Sequence, residues 1–145
     1  MVLAFLVCDG GPLCMQPQEG PAEVEGGAAL LHQNIDDTTA GLGCDGRMWR
    51  ALISAAARTD VLDAVLSVPS PAAVAHIAGR ATRFALTAPL PAAGIARVAV
   101  RQTRTRALFA GLAAHSVLPL RAPVTAGFAI MLGALAHTTG WPFAR

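Results

Sequence analysis

Residues 107–120 read ALFAGLAAHSVLPL, a run in which His115 is the one ionisable side chain among small and apolar neighbours before Pro119 interrupts it. Three roles compete for such a run: a membrane helix, a helix of a protein core, and the wall of a substrate cavity. Membrane crossing is the weakest of them. A spanning helix needs about twenty apolar residues, whereas the longest apolar stretch, Val124 to Ala136, has thirteen. Extending it would recruit Thr138, Thr139 and Trp141.

The 145 residues suit one domain. They are 54% hydrophobic and 14% charged, against usual shares of about 45–50% and about 25%, so a chain this apolar expects to be covered. Its charge is split: residues 1–63 hold all nine acidic residues and three of the eleven arginines, while 64–145 hold eight arginines and no acid. Arg97, Arg101, Arg104 and Arg106 fall within ten residues, and on a helix the first three share a side, where like charges repel mildly. Phosphate binding would use such a cluster together with aromatic side chains. Those are missing here, so the cluster predicts a solvated face or a docking surface for an acidic partner segment, with no nucleic acid as partner. A basic half also suits anionic lipid, but proline and glycine interrupt the helices too often for a membrane-surface role to be preferred.

Cys8, Cys14 and Cys44 make an odd set without a C-x-x-C pair, and His32, His76, His115 and His137 are widely spaced. Neither a disulfide framework nor a metal site is predicted. The start, MVLAFLVCDGGPLC, has no positive residue ahead of its apolar run, unlike a secretory leader, and a cytoplasmic location is the expectation.

Along the chain, residues 1–22 show no sustained period and read as irregular. Ala22 to Asn34 holds two short runs around Gly26-Gly27, a hairpin pattern because both glycines tolerate positive φ. Asp36 or Asp37 suits the cap of a short helix through Leu42, which Gly43 would end, and Asp45 suits the cap of the next. In that helix Trp49, Leu52, Ile53, Ala56, Leu62, Val65 and Leu66 recur at helical spacing, opposite Arg47, Arg50, Ser54 and Arg58. Pro69 stops it, and Ser70-Pro71 restarts a third helix whose buried face is Val74, Ile77, Ala81, Phe84 and Ala85. After Pro89 and Pro91 a long segment to Ser116 predicts helix, although Val98-Ala99-Val100 also suits a strand. Thr125 to His137 predicts a last apolar helix, broken by Gly140-Trp141-Pro142.

Catalysis needs converging polar groups, and few are present. No carboxylate follows Asp63, so any relay through His115 or His137 must reach back to the first half. Ser116 lacks the G-x-S-x-G setting of a nucleophile. His115 and His137 each end an apolar helix, where an imidazole can bond the last free carbonyls or offer polar atoms to a cavity. Phe128, Met131 and Leu132 read as core first and cavity lining second. Asp9-Gly10-Gly11-Pro12 does not fit the G-x-G-x-x-G turn that holds a dinucleotide pyrophosphate at a helix start.

ALFAGLAAHSVLPL, the helix GFAIMLGALAH and the following TTGWPFAR together resemble the middle of bacterial FAD-dependent oxidoreductases of the phytoene dehydrogenase-like group. GPAEVEGGAALLHQNIDDTTAGLGCDGRMWRALI resembles the same group, in which a short hairpin precedes a helix near a T-x-x-G-L-G-x-D-G-x-x-W pattern. The likeness covers residues 21–145. It implies an α+β, mostly helical fold: the incomplete substrate-binding domain of a two-domain enzyme, with a short β-hairpin and four or five helices, and residues 1–20 as an irregular segment outside it. In the group, the glycine-rich segment for the ADP part of FAD precedes this region, and a glycine pair follows W-P-x-x-R. The resemblance therefore implies a fragment, inactive alone and holding no FAD by itself. In an intact relative, flavin accepts hydride from an apolar small molecule at the domain boundary. Trp141 and Arg145 would approach that boundary, with His115 and His137 at helix ends nearby. No catalytic or cofactor-binding residue is assigned.

Overall fold

The computed structural model describes residues 2–6, 14–18, 29–57 and 82–140. Strand β1 (Val2–Leu6) lies in the middle of a three-stranded antiparallel sheet, between β2 (Cys14–Gln18) and β3 (Ala29–His32). For residues 2–6 and 14–18 this replaces the irregular reading; the rest of 1–20 lies outside the described residues. VLAFL is a continuous apolar run followed by Asp-Gly-Gly-Pro, which is the pattern of a short strand bounded by turn signals. Pro17, opposite Leu3, is tolerated because β2 is an edge strand, where a missing N–H breaks no second ladder. The expected hairpin of Ala22 to Asn34 is corrected in part. Its second arm is β3, but β3 pairs with β1, and its first arm and Gly26-Gly27 lie outside the described residues.

Side chains of β3 alternate as a half-covered strand requires: Ala29 and Leu31 are buried, Leu30 and His32 only partly. Asn34 then starts α1 (Ile35–Gly41), its Oδ1 accepting the Asp36 N–H at 2.8 Å. The expected cap at Asp36 or Asp37 thus moves back to Asn34, and both aspartates occupy the first turn, where negative charge suits the helix dipole. Gly43, at φ +55°, opens a single 3-10 turn, after which α2 (Gly46–Ile53) begins. Trp49, Ile53 and Ala56 are buried while Arg47, Arg50 and Ser54 are exposed, as the period predicted. The rest of that predicted helix, and the third one through Ala81, lie outside the described residues. Of the third, α3 (Thr82–Thr87) is described; Phe84 is half-buried, and Ala85 is exposed rather than buried.

The long helix expected up to Ser116 is two helices, α4 (Ala92–Ala99) and α5 (Thr103–Ala114), separated by extended backbone at Val100 and Gln102. Asp45 is the cause. It sits where a cap of α2 was expected, but its carboxylate makes no bond to that helix. Instead it accepts the backbone N–H of Arg101 at 3.0 and 3.2 Å and that of Gln102 at 2.8 Å. Helix continuation would aim those N–H groups at carbonyls one turn back. Gln102 adds a bond from Nε2 to the Leu42 carbonyl at 2.9 Å.

Helix α5 crosses the sheet against β1 and β3, and α6 (Thr125–Thr138) packs on α5, touching also α2, α3, α4 and β3. The core lies where they meet, around Trp49, Ile53, Phe109, Leu112 and Ile130. The fold is α+β and mostly helical.

Two glycines separate packing from propensity. A Cβ on Gly46 would fall 2.2 Å from the Thr39 carbonyl oxygen, a backbone atom that cannot swing away, whereas one on Gly94 meets nothing within 4 Å. Gly46→Ala is expected to remove cooperative unfolding in urea, and Gly94→Ala to raise stability by about 0.5–1 kcal/mol, the helix-interior difference between the two residues.

Burial pushes the Asp45 carboxyl up, but the N–H groups of Gln102 and Arg101, the nearby Thr105 hydroxyl and the Arg101 charge together hold it below its ordinary 3.8. The Thr105 hydroxyl, though beside the carboxylate, falls short of hydrogen-bond geometry. Because the folded-state value is the lower one, the stabilisation is complete above pH 3.8 and is lost as pH falls from there through the lower folded-state value. Asp45→Ala strands two N–H groups and is expected to cost about 2–4 kcal/mol near neutral pH. Asp45→Asn, which keeps one acceptor oxygen, is expected to cost less and to flatten the acid side of the stability profile; an unchanged profile would remove Asp45 as its source.

Candidate functional site

Helix α6 is apolar on every side, and the structure sorts its residues by size. Ala126, Ala129, Ile130, Gly133 and Ala134 form the buried face. Gly133 permits close approach: a Cβ there would lie 2.7 Å from Cδ1 of Ile53. The larger Phe128, Met131, Leu132 and Leu135 turn to the opposite side. With Phe84, Ala88, Pro89, Val124 and Gly127 they line an almost wholly apolar groove of about 540 Å³. Phe128 is 46% exposed. The expectation that Phe128, Met131 and Leu132 are core gives way to cavity lining for Phe128, while Met131 and Leu132 do both, packing against the core and lining the groove, because the small residues between them take the close contact with α5 and α2.

The groove wall is fixed from behind. The Val124, Ala126 and Gly127 N–H groups donate to the carbonyls of Pro89, Leu90 and Ala88, at 3.0, 3.1 and 3.2 Å. These bonds satisfy donors that a helix start leaves unpaired, and they draw the chain before α4 against α6. Val124 takes a left-handed conformation, φ 64°, to meet them. For a β-branched residue that geometry is costly, on the order of 1–3 kcal/mol, and persists only where the surroundings impose it.

His115 and His137 do not line this groove. His115 caps α5 and its Nδ1 bonds the Gly111 carbonyl at 3.0 Å, the helix-end role open to it from sequence. His137 reaches across the fold. Its Nε2 accepts the Trp49 indole N–H at 3.2 Å, and its Nδ1 donates to the Gln33 carbonyl at 3.3 Å. Only the neutral tautomer with hydrogen on Nδ1 makes both bonds. The rings meet edge to face, 6.4 Å apart. Trp141 and Arg145 lie outside the described residues.

The T-x-x-G-L-G-x-D-G-x-x-W pattern is structural in this chain. The Thr38 hydroxyl accepts the His32 N–H at 2.8 Å, Leu42 is buried, and Gly43 takes positive φ. Asp45 and Gly46 act as described above, and Trp49 holds His137. A dinucleotide cradle would need a strand running through a glycine turn into a helix. Here β1 is followed by antiparallel β2 on the far side of Asp9-Gly10-Gly11, so the described residues do not fit the ADP half of FAD. Among them, no three His, Cys, Asp or Glu side chains gather to hold a metal ion, and no helix is long and apolar enough to cross a membrane.

A second pocket, of about 450 Å³, lies beside the first and is lined by Pro91, Ala93, Gly94, Arg97 and Arg121. Sequence reasoning grouped Arg97 with its neighbours along the chain and left Arg121 aside. The signal for the pair was the lack of any carboxylate after Asp63, which leaves arginines of that half without acidic partners close in sequence.

Burial, opposed by the carbonyl contacts of Gln33 and His32 and helped by the charges of His32 and Arg50, lowers the His137 pKa from 6.5. Neutral His137 is the form the fold favours, so its contribution is complete above pH 6.5 and declines as pH falls through the lower folded-state value. His137→Leu leaves the buried Trp49 N–H without an acceptor and is expected to cost about 1–3 kcal/mol near neutral pH. It should also reduce the loss of urea resistance expected of the native chain as pH falls below 6.5. An identical slope in both proteins would show that His137 is not its source. No family model matches the chain, and no curated protein and no solved structure matches it either.

Proposed function

We propose that residues 21–145 form part of the substrate-binding region of an FAD-dependent oxidoreductase of the phytoene dehydrogenase-like group, and that their task is to hold an apolar small molecule. The observation carrying this reading is the apolar groove between α3 and α6, about 540 Å³ in volume. Concave, apolar and braced from behind, it has the character of a ligand site more than of a core defect. Flavin chemistry is assigned to no described residue. The contribution of this chain is binding, orientation and exclusion of water around an apolar chain or ring.

A surface for another protein or a membrane face is the second reading. It is favoured by large apolar side chains that stand outside the groove, with Leu86 69% and Val98 88% exposed. Flotation with lipid vesicles separates the two, since a small-molecule site gives no reason for the chain to float.

Titration of the purified chain with retinol, a fluorescent neutral isoprenoid, is expected to saturate at one site. Phe128→Asp should weaken it about tenfold or more, the equivalent of about 1.4 kcal/mol lost from an apolar contact. Val98→Asp, on α4 and outside the groove, should leave it unchanged. Equal binding by all three proteins would remove the groove as the site. Retention of stoichiometric FAD by the chain after gel filtration, with the visible flavin spectrum, would contradict its reading as the substrate side only.

A further inference from the structure

The apolar groove and the arginine pocket share one scaffold. Segment 88–93 is laced to segment 120–127 by the three bonds behind the groove, by the Ala93 N–H to the Leu120 carbonyl at 3.0 Å, and by the Ala92 N–H to the Thr125 hydroxyl at 2.9 Å. Pro89 lines the groove and Pro91 the pocket; Val124 lines the groove and Arg121 the pocket. Two and three residues of chain span at most about 7 and 11 Å, so the linings of the two hollows come close to each other at the seam. We infer that the chain binds a single-chain amphiphile with an anionic head, a long-chain carboxylate in the simplest case, with its tail in the groove and its head between Arg97 and Arg121. This rests on the reading of the groove as a ligand site and adds the chemistry of the other end of the ligand.

Arg97 and Arg121 come from different elements, α4 and the turn before α6, and face one hollow. Among the described residues neither guanidinium has a hydrogen-bond or ion-pair partner. Three other described arginines are engaged, Arg50 with Asp36 and Thr39, Arg104 with the Gln102 side chain, and Arg106 with the Val100 carbonyl; Arg47, Arg83 and Arg101 are as open as Arg97 and Arg121 but line no described pocket with a second arginine. The described carboxylates lie on Asp36, Asp37 and Asp45, and none of them lines the pocket. The Ala92 and Ala93 N–H groups are already bonded, as is that of Gly94, to the Pro91 carbonyl at 3.0 Å. An anion there is therefore held by the two guanidinium forks, which suit a carboxylate through paired N–H donors. Both side chains are exposed, so a carboxylate head would add a paired contact to charges that a wholly neutral hydrocarbon leaves to water.

The test uses the full chain, cis-parinaric acid as a fluorescent long-chain carboxylate, and its methyl ester as the neutral match. The acid is expected to bind at one site about tenfold or more tighter than the ester. In the Arg97→Gln, Arg121→Gln double variant the acid should fall to the level of the ester, while the ester is unaffected. Arg47→Gln, a charge loss elsewhere on the surface, should preserve the preference, and far-ultraviolet circular dichroism checks that each variant is folded. Acid and ester binding equally would overturn the anionic head and leave the apolar groove standing. Failure of both probes to bind would overturn the two readings together. Butyrate competing as strongly as the long-chain acid would overturn the shared site, because the tail would then contribute nothing. Flotation with anionic vesicles, without binding of the monomeric acid, would overturn it in favour of a membrane surface.

Discussion

The carboxylate of Asp45 is buried, 1% exposed, and its oxygens bind backbone N–H groups 56 and 57 residues further along the chain. A buried charge is tolerated only when hydrogen bonds replace the water it has lost, and three short bonds do so here. The geometry of those bonds turns the backbone at Val100 and Gln102 and ends α4. The next helix can then start in a new direction, across the sheet. Everything packed on α5 depends on that turn: α6, the faces of Ile53 and Trp49, and the seam that brings 88–93 against 120–127. The pattern around Asp45 serves the same junction. Thr38 ties α1 to β3, Gly43 and Gly46 admit backbone where a side chain would collide, and Trp49 anchors the far end of α6 through His137.

Elements that depend on local pattern were legible in the sequence. The period of Trp49, Ile53 and Ala56 and the span of α6 follow from which side chains recur together. What sequence missed depends on contacts made at long range. VLAFL and the Asp-Gly-Gly-Pro after it carry a strand-like signal, but its second partner, β3, lies 24 to 30 residues further along the chain, so no local pattern announces the three-stranded sheet. Asp45 looks like a cap because aspartate before a helix usually is one, and its actual acceptor role requires the arrival of residues 101 and 102. Likewise the bond between Trp49 and His137 joins positions 88 residues apart. For His115 the local option, a carbonyl of its own helix, is the one used.

Helix α6 shows why hydropathy could not assign the groove. With apolar residues all round, the helix has no polar side to mark its outer face, and size alone distinguishes its surfaces. Intuition places Phe128, Met131 and Leu132 inside, because large apolar side chains gain most from burial, about 25 cal/mol for each Å² removed from water. Close helix packing favours the opposite choice when the partner supplies the bulk. Ile53 and Leu112 project into the space that Gly133 leaves open, and the Ala88 backbone lies against Gly127. Small residues on α6 thus receive large ones from α2 and α5, and the large residues of α6 are left on the far side with apolar area still uncovered.

In the proposed reading, that arrangement separates holding the fold together from holding a ligand. Ala126, Ala129, Ile130 and Ala134 of α6 belong to the core itself, Met131, Leu132 and Leu135 pack against it and also line the groove, and Phe128 serves the groove alone. A polar substitution at Phe128 therefore removes ligand-facing surface without opening a cavity in the core, whereas an enlarged side chain at Gly133 strikes Ile53 directly. The seam at 88–93 and 120–127 joins the fold to the proposed ligand site at a single place. Val124 stays in its strained conformation because the Pro89 carbonyl holds its N–H, and the same bond fixes the spacing between the apolar groove and the arginines beyond it. Recognition of a molecule with two chemically different ends requires such a fixed spacing, since a tail and a head joined by covalent bonds cannot adjust to hollows that drift apart.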